Sequence, residues 1–175
     1  YNILCMVVGK ESYHQIYSYP LLRYWPNIKE PVSFNEKLLH RKLYTDNNTF
    51  ADIEDKYTVR KYVSDRVGED ILPDLYQVLQ DPEEINLDEL PNEFVIKPTH
   101  LSGPVRIVDD KSKINHKELT QMCVKWLQMS YGGTNDEYWY QQINPKIIIE
   151  EKIAGDRNEI PMDYKFFVFH GEVQY

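Results

Sequence analysis

The stretch Phe94-Val95-Ile96-Lys97-Pro98-Thr99-His100-Leu101-Ser102-Gly103-Pro104-Val105-Arg106-Ile107-Val108 decides how the rest of the chain is read. A β-branched apolar run ends on a lysine, a polar loop with one glycine follows, and a second β-branched run leaves it. Two strands are expected, over 94–98 and 105–109. One reading is a phosphate cradle: backbone N–H groups turn into such a loop, and a lysine at its mouth adds a point charge. The other is an ordinary hairpin whose lysine sits in solvent. These fifteen residues leave both open.

The totals bound the rest. The chain has 175 residues, enough for one substantial domain or two small ones, and 42% of them are hydrophobic, so a packed core is feasible. Its 14 tyrosines suit half-buried positions, ring inside and hydroxyl at the surface. The net charge of −8 argues against nucleic acid or an anionic membrane surface as a partner. An anionic small ligand would need a local basic cluster against that field. Cys5 and Cys123 have no metal spacing and read as reduced thiols of a reducing compartment. No run of about 18 apolar residues is present, so no membrane span is expected. The opening on Tyr1 and the close on Tyr175 suggest a segment of a longer polypeptide.

Outward from the central stretch, the elements follow from local signals. Residues 1–32 are aromatic and proline-punctuated, read as a short helix and an extended segment without chemistry. Ser33-Phe34-Asn35-Glu36 is a capping-box pattern that opens a helix through Leu43. After a polar break at 45–49, a helix is expected over about 55–67. Its inner stripe is Val59, Tyr62, Val63, Arg66 and Val67, and Gly68 is its stop. Lys56 and Arg60 lie four residues apart on one face: a solvated basic face, or ligand contacts. Leu75-Tyr76-Gln77-Val78-Leu79 reads as a strand, and Asp81-Pro82-Glu83-Glu84 as a capped turn. Asn115 and Glu118 cap a helix from His116 to about Ser130, with Leu119, Met122, Cys123, Trp126 and Leu127 as a core stripe. A polar-aromatic loop over 131–144, a buried strand over 146–153, a flexible connection over 155–162 and a strand over 163–169 follow. His170-Gly171-Glu172 then turns toward a last strand at Val173. Capped helices with antiparallel-looking hairpins make the class α+β.

This order of parts resembles the ATP-binding half of an ATP-grasp enzyme. More narrowly, Pro31-Val32-Ser33-Phe34-Asn35-Glu36-Lys37, Asp55-Lys56-Tyr57-Thr58-Val59-Arg60 and Asp163-Tyr164-Lys165-Phe166-Phe167 with His170-Gly171-Glu172 resemble the TupA-like ATP-grasp family. That family is associated with teichuronopeptide, capsule and other surface-polysaccharide biosynthesis. The resemblance covers roughly 30–175. It implies two lobes with mainly antiparallel sheets and flanking helices, incomplete at the C-terminus. The division is 1–32 as an aromatic extension, 33–92 as a helical part with one strand, 93–145 as the first lobe with its phosphate loop, and 146–175 as the hinge strand and the start of the second lobe.

The resemblance implies ATP as ligand, with Mg²⁺ held by residues beyond Tyr175. Lys97 would bind the α- and β-phosphates, and His100, Ser102 and Gly103 would form the loop over them. Glu150, Glu151 and Ile153 would be the hinge, whose backbone groups read adenine. Asp163 would approach the ribose and Lys165 would contact phosphate, with Lys97 and Lys165 as the catalytic pair. Lys56 and Arg60 would be outer basic contacts. Strand alternation puts Glu150 and Glu151 on opposite faces and Asp163 and Lys165 on one. The family's loop resembles His-Gly-Ser-Gly-Gly, whereas here it reads His100-Leu101-Ser102-Gly103-Pro104. Leucine loses freedom at positive φ and proline loses a donor. The implied activity is an ATP-dependent carboxylate–amine ligase using an acyl phosphate, with a polysaccharide or peptide precursor as acceptor. Its place would be the cytoplasm, at the inner face of the membrane. The alternative is a relative that binds a sugar nucleotide or glycan, with Tyr138, Trp139 and Tyr140 stacking on sugar rings.

Overall fold

The computed structural model describes residues 3–45, 49–132, 136–153, 155 and 161–174. Helices α1 (Ile3–Val8), α2 (Lys10–Leu22), α3 (Phe34–Tyr44), α4 (Thr49–Glu54) and α5 (Thr58–Val67) come first. Strands β1 (Leu75–Leu79), β2 (Phe94–Pro98) and β3 (Arg106–Val108), helix α6 (His116–Gln128), and strands β4 (Ile147–Glu150), β5 (Phe167–Phe169) and β6 (Glu172–Gln174) follow. The fold is α+β and ATP-grasp-like: an antiparallel four-stranded sheet in the order β1-β4-β2-β3, flanked by helices, with β5 and β6 forming a separate two-stranded sheet.

Period-2 alternation assigns the two faces of the larger sheet. Phe94 and Ile96 of β2, Ile147 and Ile149 of β4 and Val108 of β3 point to one face. There they meet Leu119 and Cys123 of α6, with Met122, Trp126 and Leu127 packed beside them. Asn115 starts α6 by accepting the Glu118 N–H at 3.3 Å, as the sequence implied. Asp81 likewise caps a 3₁₀ turn over Pro82–Glu84, which brings Ile85 into the same core. The opposite face carries Val95 and Lys97 of β2 with Ile148 and Glu150 of β4. That is the face the candidate site uses.

Several elements differ from the sequence reading, among them the strand expected over 146–153, which is confined to Ile147–Glu150. The N-terminal region is two helices, not one helix and an extended run. The helix expected over about 55–67 begins only at Thr58, after the unexpected α4, because the Asp55 carboxylate takes the Tyr57 N–H at 2.9 Å and the Lys56 N–H goes to the Thr99 carbonyl. None of the stripe expected on α5 is buried, and Val67 is 63% exposed. The last long strand shortens to Phe167–Phe169, and 163–166 is irregular. The connection expected over 155–162 falls largely outside the described residues, as do 46–48 of the polar break. Within the described residues no helix is long and apolar enough to cross a membrane.

Candidate functional site

Antiparallel pairing puts Lys97 opposite Ile148 and Val95 opposite Glu150, so Lys97 and Glu150 are diagonal neighbours on one face. The Lys97 ammonium donates to Glu150 Oε1, and the guanidinium of Arg60, reaching in from α5, lies 3.4 Å from Glu150 Oε2. Arg60 also donates to the Pro73 carbonyl, which anchors it at the entry to β1. Glu150 is 5% exposed, and its carboxylate is paired with both cations. A third cation stands close by. Lys56 is half-buried, and its burial first, then the field of Lys97, hold its amine below the ordinary lysine range. Two basic side chains thus share one buried carboxylate, and Lys56 stands near them with its ammonium on the Leu101 carbonyl. This is the local basic cluster that an anionic ligand needs in a chain of net charge −8.

The loop after Lys97 is pinned rather than open. Thr99 is fully buried; its N–H donates to the Lys146 carbonyl at 2.9 Å and its hydroxyl accepts the Lys146 N–H at 3.2 Å. His100 is buried as well, with Nε2 3.1 Å from the Met129 carbonyl at the end of α6. Burial pushes its ring below the ordinary histidine range, so it is neutral at pH 7, and Nδ1 has no partner. Its ring therefore faces the core side of the loop. Leu101 is not at positive φ; it is 1% exposed and plugs the loop into the interior. Only Ser102, Gly103 and Val105 stand in solvent, and Gly103 has the positive φ of 107° that favours glycine.

The segment after β4, expected as the hinge, meets the residue before β1. Glu151 N–H donates to the Asp74 carbonyl at 2.8 Å, and Glu151 Oε2 accepts the Asp74 N–H at 3.1 Å. Glu150 and Glu151 point apart, as alternation requires, and Ile153 is exposed. Lys152 ties this segment to the β3 end through Asp109 at 2.8 Å and Glu93 at 3.2 Å. Asp163 and Lys165 are exposed, and no hydrogen bond or ion pair joins them to the Lys97 cluster. Because strand geometry begins only at Phe167, the same-face argument does not extend to them. An open groove of about 920 Å³ flanks Arg60, lined also by Tyr57, Lys61, Tyr62, Pro73 and Asp74. Lys97 does not line it.

The family model described as TupA-like ATPgrasp matches residues 36–175, most of the chain. The chain belongs to the TupA-like ATP-grasp family. No curated protein and no solved structure matches it. Helices α1 and α2 lie before the matched part of this ATP-grasp chain. They are fastened to the loop before β4 by a buried pair, His14 Nε2 to Asp136 Oδ2 at 2.5 Å. In that loop Trp139 packs edge-on against Phe50 with ring centroids 5.1 Å apart, and the Tyr140 hydroxyl donates to Glu54 at 2.7 Å. Tyr138 lies under the Lys10 ammonium, 4.1 Å from ring centroid to Nζ. Trp139 and Tyr140 hold the loop against α4, and Tyr138 meets α2. Sequence reasoning missed Thr99 and the Pro73 carbonyl, and read Leu101 as a loss of freedom rather than as an anchor. The leucine replacing a glycine in the family's loop was the one available signal.

Proposed function

We propose that the chain binds ATP on the Lys97 face of the sheet and serves an ATP-dependent carboxylate–amine ligase of cell-surface polysaccharide or glycopeptide biosynthesis. The observation that carries the reading is the convergence of Lys97 and Arg60 on Glu150 at the end of two central strands, in a chain of this family. Phosphoryl transfer needs cations and amides aimed at anionic oxygens. In this reading Lys97 meets the α- and β-phosphates, and the amides of Ser102 and Gly103 cover them. The backbone of Glu151 and Ile153 reads adenine, and Asp163 and Lys165 approach the ribose and phosphate from the second lobe. A carboxylate oxygen attacks the γ-phosphorus and ADP leaves. An amine then attacks the acyl phosphate, and inorganic phosphate departs. Among the described residues no group of three His, Cys, Asp or Glu side chains is placed to hold a metal, so no step is assigned to Mg²⁺. The protein would work at the cytoplasmic side of the envelope.

Calorimetric titration with ATP and Mg²⁺ tests this reading. Wild type should bind saturably. Lys97→Ala should lose about tenfold or more in affinity, the weight of one charge-assisted contact. A folded wild-type chain that takes up no adenine nucleotide would sink the proposal. The packing of Trp139 and Tyr140 against α4 leaves the sugar-stacking alternative without a supporting observation.

A further inference from the structure

We propose that Lys56 is a clamp on the loop after β2, a positioning residue and not a ligand contact, so that only 102–105 can move over a bound phosphate. The part about phosphate rests on the nucleotide reading above; the clamp itself does not. Lys56 grips the loop twice. Its N–H donates to the Thr99 carbonyl at 3.3 Å and its Nζ donates to the Leu101 carbonyl at 2.5 Å. Between these two points His100 is held to the Met129 carbonyl, and on the other side Thr99 is held to Lys146. Residues 99–101 are therefore fixed by α6, by the start of β4 and by the turn between α4 and α5.

The electrostatics favour this role over direct ligation. Lys56 sits in the field of Lys97, a like charge that opposes a second ammonium at the same point. Its protons are instead directed at the carbonyl of Leu101, a residue buried at 1% exposure. Turning Lys56 toward a ligand would take away that carbonyl's donor, and an unpaired acceptor at a buried residue is costly. Leucine at 101 completes the device, since its side chain roots in the core the carbonyl that Lys56 holds. Free of these holds is the four-residue stretch 102–105, the flap of this proposal. Gly103 at φ 107° and Pro104 supply its bend.

The test uses Lys56→Met, which keeps the stem and removes the donor, and Lys56→Arg, which keeps a donor. Amide hydrogen exchange over 99–105 is read on the ligand-free chain, and ATP affinity by calorimetry with Mg²⁺. Lys56→Met should speed exchange across 99–105 about tenfold, the weight of one lost hydrogen bond, and weaken ATP to a similar degree. Lys56→Arg should restore both. Weaker ATP binding with unchanged exchange would overturn the proposal and make Lys56 a ligand contact; no change in either would also overturn it. If exchange responds as expected while wild type itself binds no ATP, the clamp stands and the nucleotide reading falls. A measurement on wild type avoids any variant that fails to fold. In lysine Nζ NMR, ATP should shift the Lys97 signal more than the Lys56 signal, and the reverse order would count against the clamp.

Discussion

Ile147-Ile148-Ile149 of β4 and Phe167-Val168-Phe169 of β5 are apolar triplets of similar character, and both form strands. The first is 0%, 1% and 0% exposed; the second is 59%, 53% and 45% exposed. The difference lies in their neighbours. β4 is paired on both sides, by β1 and β2, and roofed by α6. β5 is paired only with β6, and its aromatic company is Phe34, edge-on to Phe167 and Phe169 at 6.0 Å each. An apolar run states that burial is favourable. Which elements arrive to cover it is a separate matter.

The largest break in this comparison would come from truncating the core strand. Ile149→Ala should cost about 2–5 kcal/mol in urea unfolding, because the cavity is enclosed on every side. Next in size is acid. Three backbone N–H donors, from Ser33, then Asn27 and Val32, hold the Glu36 carboxyl at about 2 against an ordinary 4.5. A lowered pKa in the folded state adds stability that is complete above pH 4.5 and lost as pH falls toward 2. Glu36 fastens the start of α3, where Phe34 sits, so acid should release the hairpin's aromatic contact before it touches β4. Aromatic NMR signals of Phe167 and Phe169 should move over that range while the β4 isoleucine methyls hold, and Glu36→Gln should flatten the transition.

Ser33→Ala removes the other half of the capping box and should cost about 1 kcal/mol in the same urea assay. The smallest effect belongs to the hairpin itself. Phe169→Ala should cost less than about 1 kcal/mol, since Phe169 is 45% exposed and its loss leaves no enclosed cavity. A loss equal to that of Ile149→Ala would show that the two triplets are covered alike, and the contrast would be void.

Much of the frame was legible along the chain. Ser33 with Glu36, Asp81 before Pro82 and Asn115 before Glu118 carry their capping chemistry in the residues themselves, and each cap is observed. The bounds of β1 and β2 follow from β-branched and aromatic runs closed by turn residues. The break at Asp55 was not legible, because a carboxylate that ends one helix looks in sequence like one that opens the next. Within the site, Lys97 at a strand end was readable. Its partnership with Glu150 was not, since the two are 53 residues apart and meet only through strand register. His100 shows the same limit: a histidine in a polar loop carries no mark telling whether its ring faces water or the core.

By itself the sequence determined the family, the α+β class, the caps and the apolar stripe of α6, because these depend on residues within one or two turns of each other. Tertiary structure alone decided three things. It set a single buried carboxylate between two cations, turned a loop leucine into an anchor, and left one apolar strand half-exposed while sealing another. Each depends on which distant segment arrives beside a residue, and pairing across the sheet fixes that at long range, where local pattern carries no signal.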